Sequence, residues 1–398
     1  MKARIVQPPS RQSSFLLGAR GTGKSTLLNH DYSDDAVFYI DLLNLDTERR
    51  YSKDPQSLFQ EILALPSTIK TIVIDEIQKI PALLDVVHAL IEKTQLKFIL
   101  TGSSARKLRK GHANMLAGRA VVKNLYPFSF IELGADFQLD AILNHGSLPA
   151  LFALSSLTEK QDYLRTYSHV YLKEEVWAEH LIRQLEPFQY FLEVAAHGNG
   201  DIINTAKIAR DVGVDHKTVQ QYYTILEDTL LGFHLNCYRK SFRKRLVQKP
   251  KFYFFDIGVT RALANLLAIP VTPATYDYGK VFEHFIILEC YKLVQYAYPD
   301  YRLSYLKTTD GWEVDLVVER PGQPLLFVEI KSATQVTADM LTHLQKIPTA
   351  MHEAAECVCF ANVERPLKID DIMVYPWRQG ILHYFPIAEN SRVAPISA

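Results

Sequence analysis

The chain has 398 residues, more than one hydrophobic core usually serves, so its length predicts about two to four domains. Charged residues make up 22% and apolar residues 48%, a balance that indicates a globular protein and excludes a disordered one. The 44 Lys and Arg residues equal the 44 Asp and Glu residues, so the formal net charge is zero. This balance excludes a molecule-wide attraction to nucleic acid, and any such contact needs a local basic patch.

The cysteines and the first residues bear on the compartment. The four cysteines are scattered, and the spacing of Cys357 and Cys359 suits neither a zinc knuckle nor a thioredoxin-type site. Residues 1–9 lack the apolar run of a signal peptide, and no stretch approaches the length of a membrane span. We therefore expect a cytoplasmic protein that does not contact a membrane.

Residues 18–26 read GARGTGKST, a complete phosphate-binding loop. The loop follows a short apolar run at residues 15–17. Glycines let the backbone fold closely around an anion, Lys24 can reach the terminal phosphates, and Ser25 can hold a magnesium ion. The helix that begins near Lys24 points its N–H groups at the same charge. The predicted nucleotide-binding residues of this loop are Gly18, Ala19, Arg20, Gly21, Thr22, Gly23, Lys24, Ser25 and Thr26.

Apolar strand-like runs recur between helical stretches, in the rhythm of a parallel sheet. They cover residues 37–40, 71–74, 98–100 and 120–122. The run at 71–74 ends in Asp75 and Glu76. An aspartate at this position can hold the magnesium shell, and a glutamate after it can polarise the attacking water. The alternative is that two carboxylates simply cap a strand.

Hydroxyl side chains follow the next strand, where a sensor of the γ-phosphate would lie, although hydroxyls are also common in turns. The candidates are Thr101 and Ser103. Several arginines come after them. An arginine that reaches a neighbouring subunit's site would stabilise charge on the transferring phosphoryl group. The alternative is an ordinary solvated side chain.

Together with the phosphate loop, four motifs resemble the AAA+ ATPases of prokaryotes that are grouped with the archaeal-type ATPases. They are IDEIQKIP at 74–81, ILTGSSARKL at 99–108, LAGR at 116–119 and LYPFSFIEL at 125–133. The resemblance covers the N-terminal third. It implies a P-loop sheet with an additional strand and hydrolysis of ATP with Mg²⁺. It also implies a homo-oligomer, often a ring, for which a hexamer is one candidate size.

The same resemblance implies roles for individual residues. Lys24 and Ser25 correspond to Walker A, Asp75 and Glu76 to Walker B, and Thr101 or Ser103 to sensor 1. The arginine finger corresponds to Arg106, Arg109 or Arg119, and we favour Arg119.

The middle of the chain predicts helices and then a winged helix. Residues 136–185 show amphipathic spacing and predict a helical lid or connector. A helix at 187–197 is followed by a helix-turn-helix pattern at 204–228, in which Asp215 caps the second helix. Strand-like runs at 233–238 and 252–255 predict a two-stranded wing.

A basic segment lies within this predicted wing. Between residues 239 and 251, seven of thirteen residues are Lys or Arg and none is acidic. This clustering predicts DNA contact. The predicted DNA-binding residues are Lys217, Arg239, Lys240, Arg243, Lys244 and Arg245. A solvated loop tip, or a winged helix that serves as an oligomer scaffold, is the alternative.

Two carboxylates flank a predicted turn in the last third of the chain. Asp315 and Glu329 are equally distant from Gly322, so an unbulged hairpin places them directly opposite, with Cβ atoms about 5 Å apart. Two carboxylates at that distance can share a divalent ion. Lys331 falls on the same face as Glu329, where its ammonium can position a water or stabilise a pentavalent phosphorane. The alternative is a hairpin whose polar residues lie on its solvated side.

With Glu283 on the preceding amphipathic helix, this pattern resembles the PD-(D/E)xK nuclease fold over most of residues 277–375. The resemblance implies an active site of Glu283, Asp315, Glu329 and Lys331, with Mg²⁺ or Mn²⁺ held by Asp315 and Glu329. Val314 stands where the family name has proline.

The predicted fold class is α/β: an AAA+ type P-loop sheet, a winged-helix domain and a PD-(D/E)xK nuclease-like domain. We place the ATPase domain at 1–135, the lid at 136–185, the winged helix at 186–260 and the nuclease-like domain at 261–398. The predicted function is ATP hydrolysis that drives DNA gripping, translocation or oligomer control, coupled to Mg²⁺-dependent DNA cleavage. The alternative is an ATP-dependent switch or adaptor whose C-terminal domain binds DNA or protein without cleaving.

Overall fold

A computed structural model of the chain describes residues 2–7, 9, 11–32, 35–104, 116, 118–171, 185–239, 249–309, 311–350 and 354–387. In its N-terminal third, five parallel strands form one sheet with the order β2-β3-β4-β1-β5. The strands are β1 Ser13–Leu17, β2 Val37–Asp41, β3 Thr71–Asp75, β4 Lys97–Gly102 and β5 Ala120–Asn124. Because β4 lies between β1 and β3, the sheet has the additional strand that we expected.

Both faces of this sheet are covered, as a parallel sheet requires. Phe15 and Leu17 join one buried hydrophobic cluster, whereas Leu16 between them joins the cluster on the other face. This alternation follows from the two-residue period of a strand. The helices of this region are α1 Lys24–Asp31, α2 Leu45–Lys53, α3 Ser57–Leu63 and α4 Leu83–Lys93, with a 3-10 turn at Ile77–Lys79.

Helices make up the described middle of the chain. They are α5 Phe130–Leu133, α6 Leu139–His145, α7 Leu157–Thr166, α8 Leu185–His197, α9 Thr205–Val212 and α10 His216–Asp228. Shorter turns lie at Gly134–Asp136, Pro149–Ala153 and Tyr167–Tyr171. One hydrophobic cluster contains side chains from both sides of the boundary that we predicted at 185 and 186, including Leu164, Tyr167, Phe188 and Phe191.

The predicted helix-turn-helix is present in α9 and α10. Gly213 ends α9 with a φ of 77°, in the left-handed region that favours glycine. Asp215 caps α10 by accepting hydrogen bonds from the backbone N–H groups of Lys217 (2.8 Å) and Thr218 (3.0 Å). The assignment of this unit as a winged helix stays a prediction.

Among the described residues from 232 to 387, eight strands form one sheet with the order β12-β13-β11-β10-β9-β8-β6-β7. Its strands are β6 Gly232–Cys237, β7 Lys251–Phe254, β8 Arg302–Lys307, β9 Glu313–Glu319, β10 Leu325–Lys331, β11 Ala355–Ala361, β12 Leu367–Ile369 and β13 Ile372–Pro376. The accompanying helices are α11 Ile257–Leu263, α12 Tyr278–Ala297, α13 Thr342–Gln345, α14 Ile347–Ala350 and α15 Trp377–Tyr384, with a 3-10 turn at Ala338–Leu341.

The hairpin that we predicted as a wing is part of this larger sheet. Strands β6 and β7 pair with each other, and β6 also pairs in parallel with β8 through Asn236 opposite Ser304 and Cys237 opposite Tyr305. The sheet therefore crosses the boundary that we predicted at 260. The physical reason is that β6 leaves an unpaired edge, and β8 satisfies the backbone groups of that edge.

Candidate functional site

The phosphate loop is held in shape by its own hydrogen bonds. Gly23 has a φ of 94° and stands directly before α1. Lys24 Nζ donates to the carbonyl oxygens of Gly18 (2.7 Å) and Ala19 (3.3 Å), and Thr22 Oγ1 donates to Ala19 O (2.8 Å). These bonds fold the loop around the N-terminus of α1, the arrangement that binds phosphate.

Four predicted residues converge at the C-terminal ends of β3 and β4. Ser25 Oγ donates to Asp75 Oδ2 at 2.9 Å. Thr101 Oγ1 donates to the other carboxylate oxygen of Asp75 and accepts from the backbone N–H of Glu76 at 3.0 Å. Hydroxyl and carboxylate oxygens are the ligands that Mg²⁺ prefers, so Ser25 and Asp75 fit the role of holding it.

Two further side chains in this region were missed in the sequence. Tyr39 donates its hydroxyl to Asp75 Oδ2 at 2.8 Å, and burial together with the Asp75 carboxylate raises the pKa of Tyr39. Gln78 Nε2 donates to Ser103 Oγ at 3.1 Å and to the Glu76 carboxylate. Gln78 lies within the IDEIQKIP motif, but its position two residues after Glu76 does not predict the hydrogen bond between the two side chains.

A cavity of about 880 Å³ opens beside the phosphate loop. Residues predicted to bind the nucleotide line part of it, together with the predicted catalytic Glu76: Arg20, Gly21, Gly23, Lys24, Ser25, Thr26 and Ser103. The lining also includes Lys2, Phe128, Pro149, Ala150, Phe152 and Ala153. The cavity therefore lies between the five-stranded sheet and the segment that follows it.

Residues outside the loop fix its position. Arg4 donates to Thr22 O at 3.1 Å and forms a buried ion pair with Glu132 at 3.0 Å. Tyr167 donates its hydroxyl to Arg20 O at 2.7 Å. The N-terminal segment and the first turn after α7 thus hold the loop from both sides, which the sequence did not reveal.

Arg119 lies away from the phosphate loop of its own chain. It directly precedes β5, whose first residue, Ala120, pairs with Ser13 at the start of β1. The phosphate loop follows the other end of β1, and Arg119 instead forms an ion pair with Glu92 at 2.5 Å. An arginine finger at this position can act only on a neighbouring subunit. Arg106 and Arg109 lie outside the described residues, so the choice among the three stays a prediction.

In the C-terminal sheet, the hairpin of β9 and β10 has the predicted register. Val317 pairs with Phe327, and Leu316 pairs with Val328. This register sets Asp315 opposite Glu329, as expected. The face that carries both carboxylates is partly covered, because Val317 and Phe327 lie on it and are fully buried.

Asp315, Glu329 and Lys331 lie together on this hairpin. Lys331 Nζ lies 2.6 Å from Glu329 Oε1, and Asp315 Oδ2 accepts from the backbone N–H of Ile330 at 2.7 Å. Burial, followed by the carboxylates of Glu329 and Glu283, raises the pKa of Asp315 well above its ordinary value. Burial likewise raises the pKa of Glu329, although Lys331 opposes that shift. Ionisation of these carboxylates therefore costs free energy, and a bound cation would reduce that cost.

Lys251 enters this acidic cluster from the hairpin of β6 and β7. Its Nζ lies 2.9 Å from Glu313 Oε1 and 3.4 Å from Glu283 Oε1. The hydroxyl of Tyr253 donates to Glu283 at 2.6 Å. Burial opposes the charge of Lys251, but Glu283, Asp315 and Glu313 outweigh it and raise the pKa of Lys251.

Lys251 is one of the seven cations of the basic segment at 239–251, but it does not contribute to an exposed basic surface. Its side chain is 5% exposed, so it faces the carboxylates instead of solvent. The alternation of β7 decides this orientation, and no local sequence signal distinguished Lys251 from the basic residues before it.

The chemistry of the acidic cluster bears on whether it can hold a divalent cation. Within the part of the chain that the structure describes, no three or more His, Cys, Asp and Glu side chains are grouped as metal ligands. Mg²⁺, however, is commonly held by one or two carboxylates together with waters and a substrate phosphate. The paired carboxylates of Asp315 and Glu329 fit that chemistry, and Mn²⁺ takes the same oxygen ligands.

The predicted DNA-binding residues are only partly described. Lys217, in the first turn of α10, and Arg239, after β6, are both exposed. Lys240, Arg243, Lys244 and Arg245 lie outside the described residues. DNA contact by this surface stays a prediction.

Comparison with known protein families identifies the first region. Residues 10–134 match the AAA domain family. This region is an AAA-type ATPase domain. Residues 136–269 and 278–379 match two domains of unknown function, DUF8612 and DUF4143. Among the described residues, no helix combines the length and apolarity that crossing a membrane requires.

Several relatives that match most of this chain are uncharacterized proteins. One from Mycobacterium tuberculosis is 27% identical over 80% of this chain and 69% of its own length. Another, from Methanocaldococcus jannaschii, is 22% identical over 95% of this chain and 86% of its own length. A solved structure of Thermococcus gammatolerans McrB AAA+ hexamers with bound McrC is 12% identical, covering 48% of this chain and 69% of that chain. The TM-score of this match is 0.19, which is too low to indicate a shared fold.

Proposed function

We propose that the chain is an ATP-hydrolysing AAA+ protein that binds DNA and cleaves it with a Mg²⁺-dependent C-terminal site of the PD-(D/E)xK type. The observation that carries the cleavage proposal is the meeting of Glu283, Asp315, Glu329 and Lys331 at one end of the β9–β10 hairpin. These residues are up to 48 positions apart in the sequence, and the fold brings their charges together.

For the ATPase reaction, the proposal assigns each polar group at the phosphate loop a role. Lys24 binds the terminal phosphates, and Ser25 and Asp75 hold the magnesium ion. Glu76 orients the attacking water, with its position fixed by Thr101 and by Gln78. Arg119 would act in a neighbouring subunit, so the proposal includes a homo-oligomer, with a hexameric ring as the geometry to test.

At the C-terminal site, Asp315 and Glu329 would hold Mg²⁺ or Mn²⁺, which when bound supplies positive charge to the scissile phosphate and its nucleophile. Lys331 would stabilise negative charge on the phosphate, and Glu283 would orient water or act as a further ligand. The exposed Lys217 and Arg239 would bind the DNA backbone. ATP hydrolysis would then grip or move DNA, or control the oligomer.

The contacts of Lys251 favour a second candidate. An ammonium group that pairs with Glu313 and Glu283 already compensates part of the negative charge of the cluster. A site balanced in this way could serve as a fixed binding platform. The chain would then be an ATP-dependent switch or adaptor that binds DNA or protein without cleaving it.

A nuclease assay on parallel proteins tests the proposal. Wild type, Lys24→Ala and Asp315→Ala are incubated with plasmid and linear DNA in Mg²⁺ or Mn²⁺, with and without ATP. Asp371→Ala serves as the control, because Asp371 is fully exposed and its distance to Lys368 is 3.8 Å. We expect Asp315→Ala to abolish cleavage and to retain ATPase activity, and Lys24→Ala to abolish ATPase activity.

Cleavage by Asp315→Ala at the wild-type rate would show that the site is misassigned. Calorimetry on Lys24→Ala separates the two candidates. Uptake of Mg²⁺ or Mn²⁺ that disappears in the double variant with Asp315→Ala supports the nuclease, whereas absence of uptake supports the adaptor.

A further inference from the structure

The cavity beside the phosphate loop is lined by two chemically different sets of residues. Lys24, Ser25, Glu76 and Ser103 carry charge or hydroxyl groups. The lining also includes two phenylalanine rings, Phe128 and Phe152, and a proline, Pro149. A nucleoside triphosphate has the same division, with charged phosphates at one end and a flat aromatic base at the other.

The two rings differ in how much surface they offer. Phe128 is 7% exposed, and the Arg4 guanidinium lies 4.6 Å from its ring centre. Phe152 is 37% exposed, whereas the other phenylalanines that the structure describes are buried or half-buried. An aromatic ring that is exposed in a cavity gains the favourable free energy of burial only when a ligand covers it.

Neighbouring contacts hold Phe152 in place. Its ring meets Phe128 edge to face, with centres 5.6 Å apart and planes at 77°. Such a contact occupies at most one face of Phe152. Lys2 Nζ lies 5.9 Å from the ring centre, at the outer limit of a cation–π contact, and it pairs with Asp136.

The backbone that carries Phe152 is anchored to the phosphate loop. The turn Pro149–Ala153 buries Leu151, and the preceding Ser147 accepts a hydrogen bond from the backbone N–H of Phe128 at 3.0 Å. Pro149 is close to the loop, since a Cβ placed on Gly23 would lie 3.6 Å from Pro149 Cγ. The ring is thus presented to the cavity from a fixed support.

We infer that Phe152 stacks on the base of the bound nucleotide and that this contact selects nucleotides over phosphate chains without a base. The inference rests on nucleotide binding at the phosphate loop and adds the residue that recognises the base. Aromatic stacking tolerates different bases, so Phe152 contributes affinity for a base, and the phosphate loop supplies the affinity for the phosphate chain.

Calorimetric titration with two ligands, Mg²⁺–ATP and inorganic tripolyphosphate, tests the inference. Stacking on an aromatic side chain predicts that Phe152→Ala weakens ATP binding roughly 5- to 150-fold. Binding of tripolyphosphate should stay unchanged, because this ligand has no base. Phe152→Tyr keeps the ring and should restore most of the affinity for ATP.

Leu157→Ala is the matched control, because Leu157 is 58% exposed and is absent from the cavity lining. Wild-type affinity of Phe152→Ala for ATP would overturn the inference, and so would an equal loss for ATP and tripolyphosphate. Failure of the wild-type protein to bind either ligand would instead refute nucleotide binding at the phosphate loop. The two failures are therefore distinguishable.

Discussion

Substitution of Lys251 by methionine probes how the acidic cluster is balanced. The change keeps most of the side-chain length and removes the charge. Breaking a buried ion pair by removing one partner costs about 3–5 kcal/mol. Here Glu283 and Glu313 are 24% and 32% exposed, and Glu313 keeps Lys307 at 2.6 Å, so water and Lys307 compensate part of the loss. We expect the free energy of unfolding to fall by about 2–3 kcal/mol at neutral pH.

The pH dependence of this loss follows from two pKa shifts. The pKa of Lys251 is raised in the folded state, so its contribution is complete below the ordinary lysine value and is lost only as the pH rises through the folded pKa. Burial opposes ionisation of Glu313, but Lys251 and Lys307 outweigh it and lower the pKa of Glu313. The contribution of that carboxylate is therefore lost as the pH falls through its lowered pKa. The penalty of Lys251→Met should be full near pH 7 and smaller below about pH 4.

Urea unfolding followed by tryptophan fluorescence measures the effect, because Trp312 and Trp377 both lie in the C-terminal part of the chain. With a urea dependence of about 1–3 kcal/mol per M, the midpoint should fall by about 1 M. Lys280→Met is the control. Lys280 pairs with Asp201 at 3.1 Å, but both side chains are more than half exposed, so the cost should stay below about 1 kcal/mol.

An unchanged midpoint for Lys251→Met near pH 7 would refute the assignment of Lys251 as the buried counter-charge. An equal penalty at about pH 7 and below about pH 4 would refute its electrostatic origin and indicate lost packing instead.

Three further predictions concern single side chains. Asp315→Asn should stabilise the metal-free protein at neutral pH. Because the pKa of Asp315 is raised in the folded state, stability falls as the pH rises from the ordinary aspartate value to the raised one, by about 1.4 kcal/mol per pKa unit, so thermal unfolding of variant and wild type should converge in acid. Gln78→Ala should lower kcat for ATP hydrolysis roughly 10- to 100-fold with little change in KM, because Gln78 holds Glu76 in position; an equal change in both constants would contradict this role. Arg119→Ala should lower the ATPase rate roughly 1,000-fold or more if Arg119 acts in a neighbouring subunit. Glu92→Ala breaks the same ion pair and should leave that rate unchanged, so equal losses in the two variants would show a structural role.

Local sequence was sufficient for the parts of this protein whose chemistry depends on consecutive residues. The phosphate loop, the strand that ends in Asp75 and the capped helix that begins after Asp215 each follow from residue types at fixed short spacings. The register of the β9–β10 hairpin was also predictable, because symmetry about Gly322 sets the pairing of residues on either side. In these cases the information lies within one turn of chain or one pair of adjacent strands.

Contacts between distant segments could not be predicted in this way. The sequence placed Lys251 in a basic segment that predicts DNA contact, yet the alternation of β7, together with the pairing of β6 with β8, directs it into the acidic cluster. Likewise, nothing near Phe152 in the sequence indicates that it lines the same cavity as Arg20 and Gly21 of the phosphate loop, more than a hundred residues earlier.

The sequence by itself determined the chemistry of the phosphate loop and the identity of the paired carboxylates, because those depend on which groups are covalently near one another. Only the tertiary structure decided which charges face the carboxylates and which exposed aromatic ring lines the cavity beside the phosphate loop. Burial and strand pairing fix those orientations, and both depend on segments that meet only when the whole chain has folded.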